Sequence, residues 1–456
     1  MNNITNRTIV TVLLAILLLA GTGLFVFKLV THGSEWASFS ANSHLYSNGI
    51  LNSGQILDRN GEMLASINEG VWTYNDDVSK RKAMLHTVGV PEGTIATGAI
   101  TRFAAELTGY NLITGAKHIG TGGMNLFLTV DADLSKTAYE ALGSYKGAVC
   151  IYNYLTGEII CSVSTPTYDP ANPPQITEGD PNYDGVYINR CFSSSFTPGS
   201  TFKLITLTAA LNEVKDVESR TWPCTGTIQI GNQPVTCTGT HETIDIKTAL
   251  NVSCNDVFGQ IAVEVGRKNM SKYVKSTGLT SSYNINGIST KPSSFDFSSK
   301  DDGDLAWAGV GQGKDLVNPV SMMVYMGAIA NGGKAAQPQI ISKYTLRGGL
   351  KTSVYIKRTT ERLVDEATAT KVSEYMKSNV KNTYGEYRFP GLDIYAKTGT
   401  AEVSTGGAAN SWFVGFLRNQ NAPLAFVIYA EGGGSGSSTA ATIASTVLQQ
   451  AVAKQQ

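Results

Sequence analysis

The chain has no excess of either charge. Lysine and arginine total 36, aspartate and glutamate total 36, and the formal net charge is zero. It also has no long run of like charge. A protein that draws its affinity from phosphates usually carries a basic surplus, so nucleic acid is not an expected partner. The balance does not argue against a small charged substrate. There is no heptad array and no repeat of solenoid period, which excludes a coiled coil and a stacked-repeat scaffold. Charge is sparse at 16% while hydrophobic residues make up 42%, a composition that folds rather than staying disordered. The length of 456 residues allows two or three domains.

One segment has no charge at all. Thr8 to Phe27 reads TIVTVLLAILLLAGTGLFVF, bracketed by Arg7 and Lys28. Twenty such residues are what a helix needs to cross ~30 Å of hydrocarbon. A cleaved signal peptide would have a shorter apolar region followed by a small-x-small site. Here Gly21-Thr22-Gly23 lies inside the apolar run, so a retained anchor is favoured. The bulk of the chain is expected outside the membrane, with the N-terminus inside.

Cysteines are few, six in all. Cys224 and Cys237 bound CTGTIQIGNQPVTC, whose Gly231-Asn232 centre marks a hairpin. In an exported domain a Cys224–Cys237 disulfide is the first expectation. With His241 close behind, a zinc site is the second and a pair of free thiols the third. Cys150 and Cys161 flank another hairpin, AVCIYNYLTGEIICSV. With Tyr154 to Gly157 as its loop they would face each other across the strands. Two buried thiols are favoured there over a disulfide.

The coarse pattern is α+β. SGQILDRNGEMLASI reads as two strands about an Asn-Gly turn. A glycine-rich stretch, ITGAKHIGTGGMN, leads to LFLTVDADLSKTAYEALG, a strand and then an amphipathic helix. From Gly147 come a hairpin, a long Pro/Asn/Asp-rich loop and a helix after Pro198. The end reads as three antiparallel strands, LDIYAKTGTAE, NSWFVGFL and PLAFVIYAEG, and a helix from about Ser438 to Ala453. Strands at both ends with helices between imply one sheet closed by distant segments.

Three short motifs carry the chemistry. In FTPGSTFKLIT, Ser200 and Lys203 follow a Pro-Gly turn and share one helix face. A serine at a helix N-terminus with an amine one turn on is a candidate nucleophile and base. Alone, the quartet equally suits a helix cap and a surface lysine. Ser253-Cys254-Asn255 and Lys397-Thr398-Gly399-Thr400 follow in that order, and each is common by itself. Together, Ser-x-x-Lys, Ser-x-Asn and Lys-Thr-Gly form the set of serine penicillin-recognising enzymes.

With these motifs the chain resembles a class B penicillin-binding protein, a membrane-anchored peptidoglycan transpeptidase. The resemblance extends through GQILDRNGEMLA, LTVDADLSKTAYEAL, GAVCIYNYLTGEIICSVSTPTYDPANP, NRCFSSSFTPGSTFKLIT, SCNDVF, GQGKDLVNPVSMM, AKTGTAE and NSWFVGF. It departs at Ser53, where an arginine is usual, and at Asn410-Ser411, where a histidine-containing approach is usual. It implies an anchor over residues 1–30, a small extracytoplasmic module over 31–140 and a transpeptidase domain over 141–456. That domain would hold a five-stranded, mostly antiparallel sheet flanked by helices.

By resemblance, Ser200 attacks a D-alanyl-D-alanine carbonyl and Lys203, kept neutral by burial or by Lys397, is its base. Ser253 relays a proton. Asn255 holds the substrate amide and orients Lys203. Lys397, Thr398 and Thr400 receive the terminal carboxylate, Gly399 leaves room for substrate, and the N–H groups of Ser200 and Thr400 form the oxyanion hole. This chemistry requires no metal or other cofactor. Implied partners are peptidoglycan stem peptides and lipid-linked nascent glycan, β-lactam antibiotics, and a membrane glycosyltransferase. The expected location is the bacterial cell membrane, single-pass, with the catalytic domain outside. The rivals are a serine β-lactamase, a D,D-carboxypeptidase and a non-catalytic β-lactam sensor or scaffold. The length, the anchor and the second module weigh against a lactamase, the N-terminal signature weighs against a carboxypeptidase, and a single anchor helix leaves a sensor little room for a signalling membrane domain.

Overall fold

A computed structural model describes residues 2–37, 54–68, 71–108, 123–346, 351, 356–403 and 407–455. Ser53 and residues 113–122 of the glycine-rich stretch lie outside these. Helix α1 (Asn2–Ala37) leaves nearly all of its apolar residues from Ile9 to Val30 exposed and touches the short helix Ala104–Thr108. Between Arg7 and Thr31 it is long and apolar enough to cross a membrane.

The N-terminal part forms a mixed five-stranded sheet. Strands β1 (Gln55–Leu57), β2 (Met63–Asn68), β3 (Val71–Tyr74) and β4 (Asn125–Leu128) supply four members. The turn between β1 and β2 is at Asn60-Gly61. Asp58 fixes it by accepting from the backbone N–H of Asn60 and Glu62 at 2.8 and 2.9 Å. The fifth strand, β11 (Ile341–Thr345), comes from far down the chain and pairs with β4. Helices α2 (Val78–Val88) and α3 (Ala132–Leu142) begin at Asp77 and Asp131, whose carboxylates cap the first turns.

The second sheet is fully antiparallel. Its order is β12 (Ile394–Ala401), β13 (Asn410–Leu417), β14 (Leu424–Ala430), β5 (Gly147–Asn153) and β6 (Ile159–Thr165). Strands β5, β6 and β14 are buried along almost their whole length, because helices cover both faces. One face carries Val149, Ile151, Phe413, Phe426 and Ile428 and packs on α3 and α8 (Ala440–Ala453). The other carries Tyr152, Trp412, Val414 and Val427 and packs on α4 (Lys203–Glu213), α5 (Asn255–Val265), α6 (Pro319–Ala330) and α7 (Glu366–Asn379). Helix α6 is apolar all round because it is the centre of that layer.

A small flap stands over α5. It consists of two hairpin-like pairs, β7 (Thr221–Cys224) with β10 (Glu242–Asp245) and β8 (Thr227–Ile230) with β9 (Gln233–Thr236). The expected turn at Gly231-Asn232 joins β8 to β9, with Gly231 at φ 56°.

The cysteine expectations need correction. A β-bulge between Ile151 and Tyr152 shifts the β5–β6 register by one. Cys150 therefore opposes Ser162, and Cys161 opposes Ile151. A one-residue slip reverses faces, so the two thiols point into different cores. Cys161 stays a buried thiol, while Cys150 is disulfide-bonded to Cys191, with Cα atoms 6.3 Å apart. Cys224 and Cys237 form no disulfide.

Candidate active site

The three motifs converge at the edge of the antiparallel sheet. Gly199–Thr201 is a single tight turn leading into α4, so Ser200 stands just ahead of the helix and Lys203 at its first residue. Gly199 has φ 53°, and a Cβ there would collide with the Thr400 carbonyl of β12. The nucleophile turn is thus pressed against the Lys-Thr-Gly strand. Trp412 of β13 anchors the turn from below, donating from Nε1 to the Thr197 carbonyl at 2.9 Å.

Lys203 is fully buried. Its Nζ lies 3.0 Å from Ser200 Oγ, 2.6 Å from the Ser253 carbonyl oxygen, 2.7 Å from Asn255 Oδ1 and 3.3 Å from Ser253 Oγ. Two of these partners can only accept. The Asn255 assignment is fixed because Nδ2 donates to the Thr236 carbonyl at 2.8 Å, which leaves Oδ1 toward the lysine. A neutral amine satisfies both acceptors with its two N–H groups. Its lone pair is then left for the Ser200 hydroxyl proton. Burial pushes the Lys203 ammonium down to about 8. Burial is the main cause, and Cys237 and Cys254 oppose it.

Ser253 joins the two lysines. Lys397, also fully buried, donates to Ser253 Oγ at 3.0 Å and to the Thr398 carbonyl at 2.9 Å. Burial, and secondarily Lys203, holds Lys397 well below the ordinary lysine range. Ser253 reaches both amines from a left-handed backbone conformation, φ 55°, which is uncommon for a residue with a Cβ.

Strand β12 is an edge strand, so alternate backbone groups point off the sheet. The Thr398 N–H donates outward to Tyr384 Oη at 3.0 Å. Two residues on, the Thr400 N–H leaves the same edge, on the side of Ser200. Thr398 is half-buried and Thr400 exposed. The clearance at Gly399 has another occupant than expected. A Cβ there would meet the Pro198 carbonyl at 2.8 Å and Thr201 Cγ2 at 2.8 Å. Protein fills that space, and the glycine is what lets the nucleophile turn seat against the strand.

Two contributors carried no sequence signal of their own. Tyr384, in the turn after α7, holds both the N–H and the hydroxyl of Thr398. Gln312, in the GQG stretch, donates to the Thr400 carbonyl at 3.4 Å. Tyr384 comes from the segment just ahead of the Lys-Thr-Gly strand, whereas Gln312 comes from far along the chain.

A serine beside two buried lysines, on the edge of an antiparallel sheet layered with helices, defines a serine acyl-transferase of the penicillin-recognising class. The family model for the penicillin binding protein transpeptidase domain matches residues 147–449, and the chain belongs to that family. The peptidoglycan D,D-transpeptidase PbpA of Mycobacterium tuberculosis is 28% identical over 363 residues, 72% of this chain and 73% of the relative. Stage V sporulation protein D of Bacillus subtilis is 26% identical over 315 residues, 65% of this chain and 47% of that protein. Among solved structures, the D,D-transpeptidase domain of a peptidoglycan glycosyltransferase from Eggerthella lenta aligns with a TM-score of 0.74 and 25% identity, covering 88% of this chain and 98% of that one. Penicillin-binding protein A of M. tuberculosis aligns with a TM-score of 0.76, covering 88% and 99%; at 22% identity this likeness speaks for the fold.

Proposed function

We propose that the protein is a peptidoglycan D,D-transpeptidase working through a Ser200 acyl-enzyme. Ser200 Oγ attacks the carbonyl of the penultimate D-alanine of a stem peptide, and its proton passes to Lys203. The tetrahedral oxyanion is received by the N–H groups of Ser200 and Thr400. Ser253 hands a proton to the departing D-alanine amine and takes the one held by Lys203, 3.3 Å away, leaving the stem peptide as an ester on Ser200 and Lys203 neutral again. An amine of a second stem peptide then attacks the ester, forming the cross-link and freeing Ser200. Asn255 holds the substrate amide, and Lys397, Thr398 and Thr400 hold the terminal carboxylate. A β-lactam enters the same route and stops at the ester.

The observation that carries this reading is the Lys203 amine. Its N–H groups are committed to two acceptors, which turns its lone pair to Ser200. Burial, and secondarily Lys203, lowers the Lys397 ammonium, and an arriving carboxylate would raise it again.

The anchor corresponds to residues 1–30, the extracytoplasmic module to 31–140 and the catalytic domain to 141–456, with β11 lending a strand back to the module. Helix α1 spans the bacterial cell membrane once and leaves the rest outside, near lipid-linked nascent glycan. A membrane glycosyltransferase that polymerises that glycan is the proposed partner, meeting α1 and the module.

The test is labelling of the full-length protein in detergent with a fluorescent penicillin, beside Ser200→Ala. A stable covalent band lost in the variant is expected. A transient band with penicillin hydrolysis would make the protein a β-lactamase. Labelling that persists in Ser200→Ala would remove Ser200 as nucleophile.

A further inference from the structure

Cys254 sits between Ser253 and Asn255, and its sulfur is not alone. Cys224 ends β7, Cys237 follows β9, His241 precedes β10 and Cys254 caps α5. Their ligand atoms all lie within 4.8 Å of one another. Among the described residues this is the one group of cysteine, histidine or carboxylate side chains gathered so tightly.

Three of the six edges have the lengths of a coordination tetrahedron. Metal–sulfur bonds of about 2.3 Å give S···S edges of about 3.8 Å, and metal–nitrogen bonds of about 2.0 Å give S···N edges of about 3.5 Å. Cys237 Sγ is 3.7 Å from Cys254 Sγ. His241 Nδ1 is 3.3 Å from Cys224 Sγ and 3.6 Å from Cys237 Sγ. Backbone donors already face the sulfurs. The Asn255 N–H points at Cys237 Sγ at 3.3 Å, and the Val257 N–H at Cys254 Sγ at 3.4 Å. Such N–H···S bonds orient thiolates and spread their charge. Buried Asp256 fixes the turn after Cys224 by accepting from the Thr225 and Gly226 N–H groups, each at 3.1 Å.

We propose that Cys224, Cys237, His241 and Cys254 bind one zinc ion, and that this ion fastens the β7–β10 flap to the head of α5. Three thiolates with an imidazole suit zinc better than a hard cation. The set is closed, with no open position, so the ion is structural and takes no part in acyl transfer. Cys224 and Cys254 are buried, while Cys237 and His241 are partly open and give the ion a way in. The consequence for the reaction is positional. The flap supplies Thr236, whose carbonyl fixes the Asn255 amide, and the cluster holds the left-handed turn at Ser253. Zinc therefore sets where both residues meet Lys203.

The test starts from full-length wild-type protein purified in detergent without chelator. Elemental analysis is expected to find about one zinc per chain. Replacement by cobalt is expected to give thiolate-to-metal charge transfer and the strong visible bands of tetrahedral cobalt. A chelator should expose three further thiols to a thiol reagent. His241→Asn and Cys237→Ser should lose the metal, whereas Cys161→Ala, at the buried thiol in the other core, should keep it. Wild-type protein without zinc and without the cobalt bands would overturn the proposal. So would a mass spectrum showing a disulfide between any two of Cys224, Cys237 and Cys254. The wild-type measurements stand even where a variant fails to fold. Slower penicillin acylation after chelation, about tenfold, is also expected. That readout rests on the acyl-transfer reading, but the metal content does not, so the two can fail separately.

Discussion

The two walls above Ser200 are built of different material. The wall carrying Lys397 to Thr400 is a strand of the central sheet, paired with β13 from Ile394 to Ala401. Aromatic rings back it: Trp412 packs on Tyr429 with ring centres 4.8 Å apart, and Phe196 stacks on Tyr429 at 4.1 Å. The wall carrying Ser253 and Asn255 hangs from two-stranded pieces, with Thr221, Pro223, Thr227 and Gln229 exposed. An isolated two-stranded ribbon is marginal in water. The first wall is held by long-range burial; the second packs Ile230 and Val235 on Ala306 and, with the proposed zinc, is cross-linked at sulfur and imidazole. A wall with so small a core gains most from a clasp, and the cysteine–histidine cluster lies where one would act.

The sharpest test bears on what the walls share. Lys203→Ala is expected to cut the penicillin acylation rate by about 10²–10⁴-fold, the usual worth of a positioned base. Circular dichroism would check that the fold survives. A loss under tenfold would mean that the walls do not act through Lys203.

The pH profile follows in size. Lys203 protonates as pH falls through about 8, and only the neutral amine is a base. The acylation rate should level off above that value and drop about tenfold for each unit below it. The groups facing this amine are Lys397 from β12, Cys237 from the flap and Cys254 at the head of α5. A rate flat from about pH 5 to 10 would count against the assignment.

A pair of glycine substitutions compares the walls directly. Gly399→Ala drives a methyl into the Pro198 carbonyl and Thr201, in a wall that cannot yield. Thermal or denaturant unfolding should show a loss of about 1–3 kcal/mol. Gly239→Ala, in the flap, meets only His241 Nε2 at 3.8 Å. It should change stability by less than about 0.5 kcal/mol. Equal losses would erase the distinction.

The smallest effect is expected at Tyr384→Phe. It removes the oxygen that accepts from Thr398 N–H, at a cost of about 1 kcal/mol and a few-fold in acylation. Unchanged acylation would show that the strand wall holds Thr398 without its neighbour.

Much of the site was legible because its chemistry is local. Ser200 and Lys203 share a face through helix spacing alone, and Thr398 and Thr400 share one through strand alternation. The strands of LDIYAKTGTAE, NSWFVGFL and PLAFVIYAEG appear where their apolar runs placed them. Helix α8 starts at Ala440, close to the expected Ser438. Tyr384 was not legible, because an aromatic residue after a helix reads the same in a core as in a site. The reason for Gly399 was misread, because only packing reveals which side of a strand is already occupied.

The sequence by itself determined the reacting groups, the uncharged helix at the N-terminus and the strand and helix periods, since each depends on residues within one or two turns. Tertiary structure alone decided which sulfurs meet. One extra residue in β6, Ile160 opposite Ile151-Tyr152, separates Cys150 from Cys161 onto opposite faces, and the pairing with Cys191 depends on a loop that returns from 41 residues along the chain. In the same way Cys254 joins Cys224, Cys237 and His241 only because α5 packs beneath the flap. Such meetings are fixed by the burial of two cores and the register of a sheet. Those are properties of the whole chain, which no short stretch of it contains.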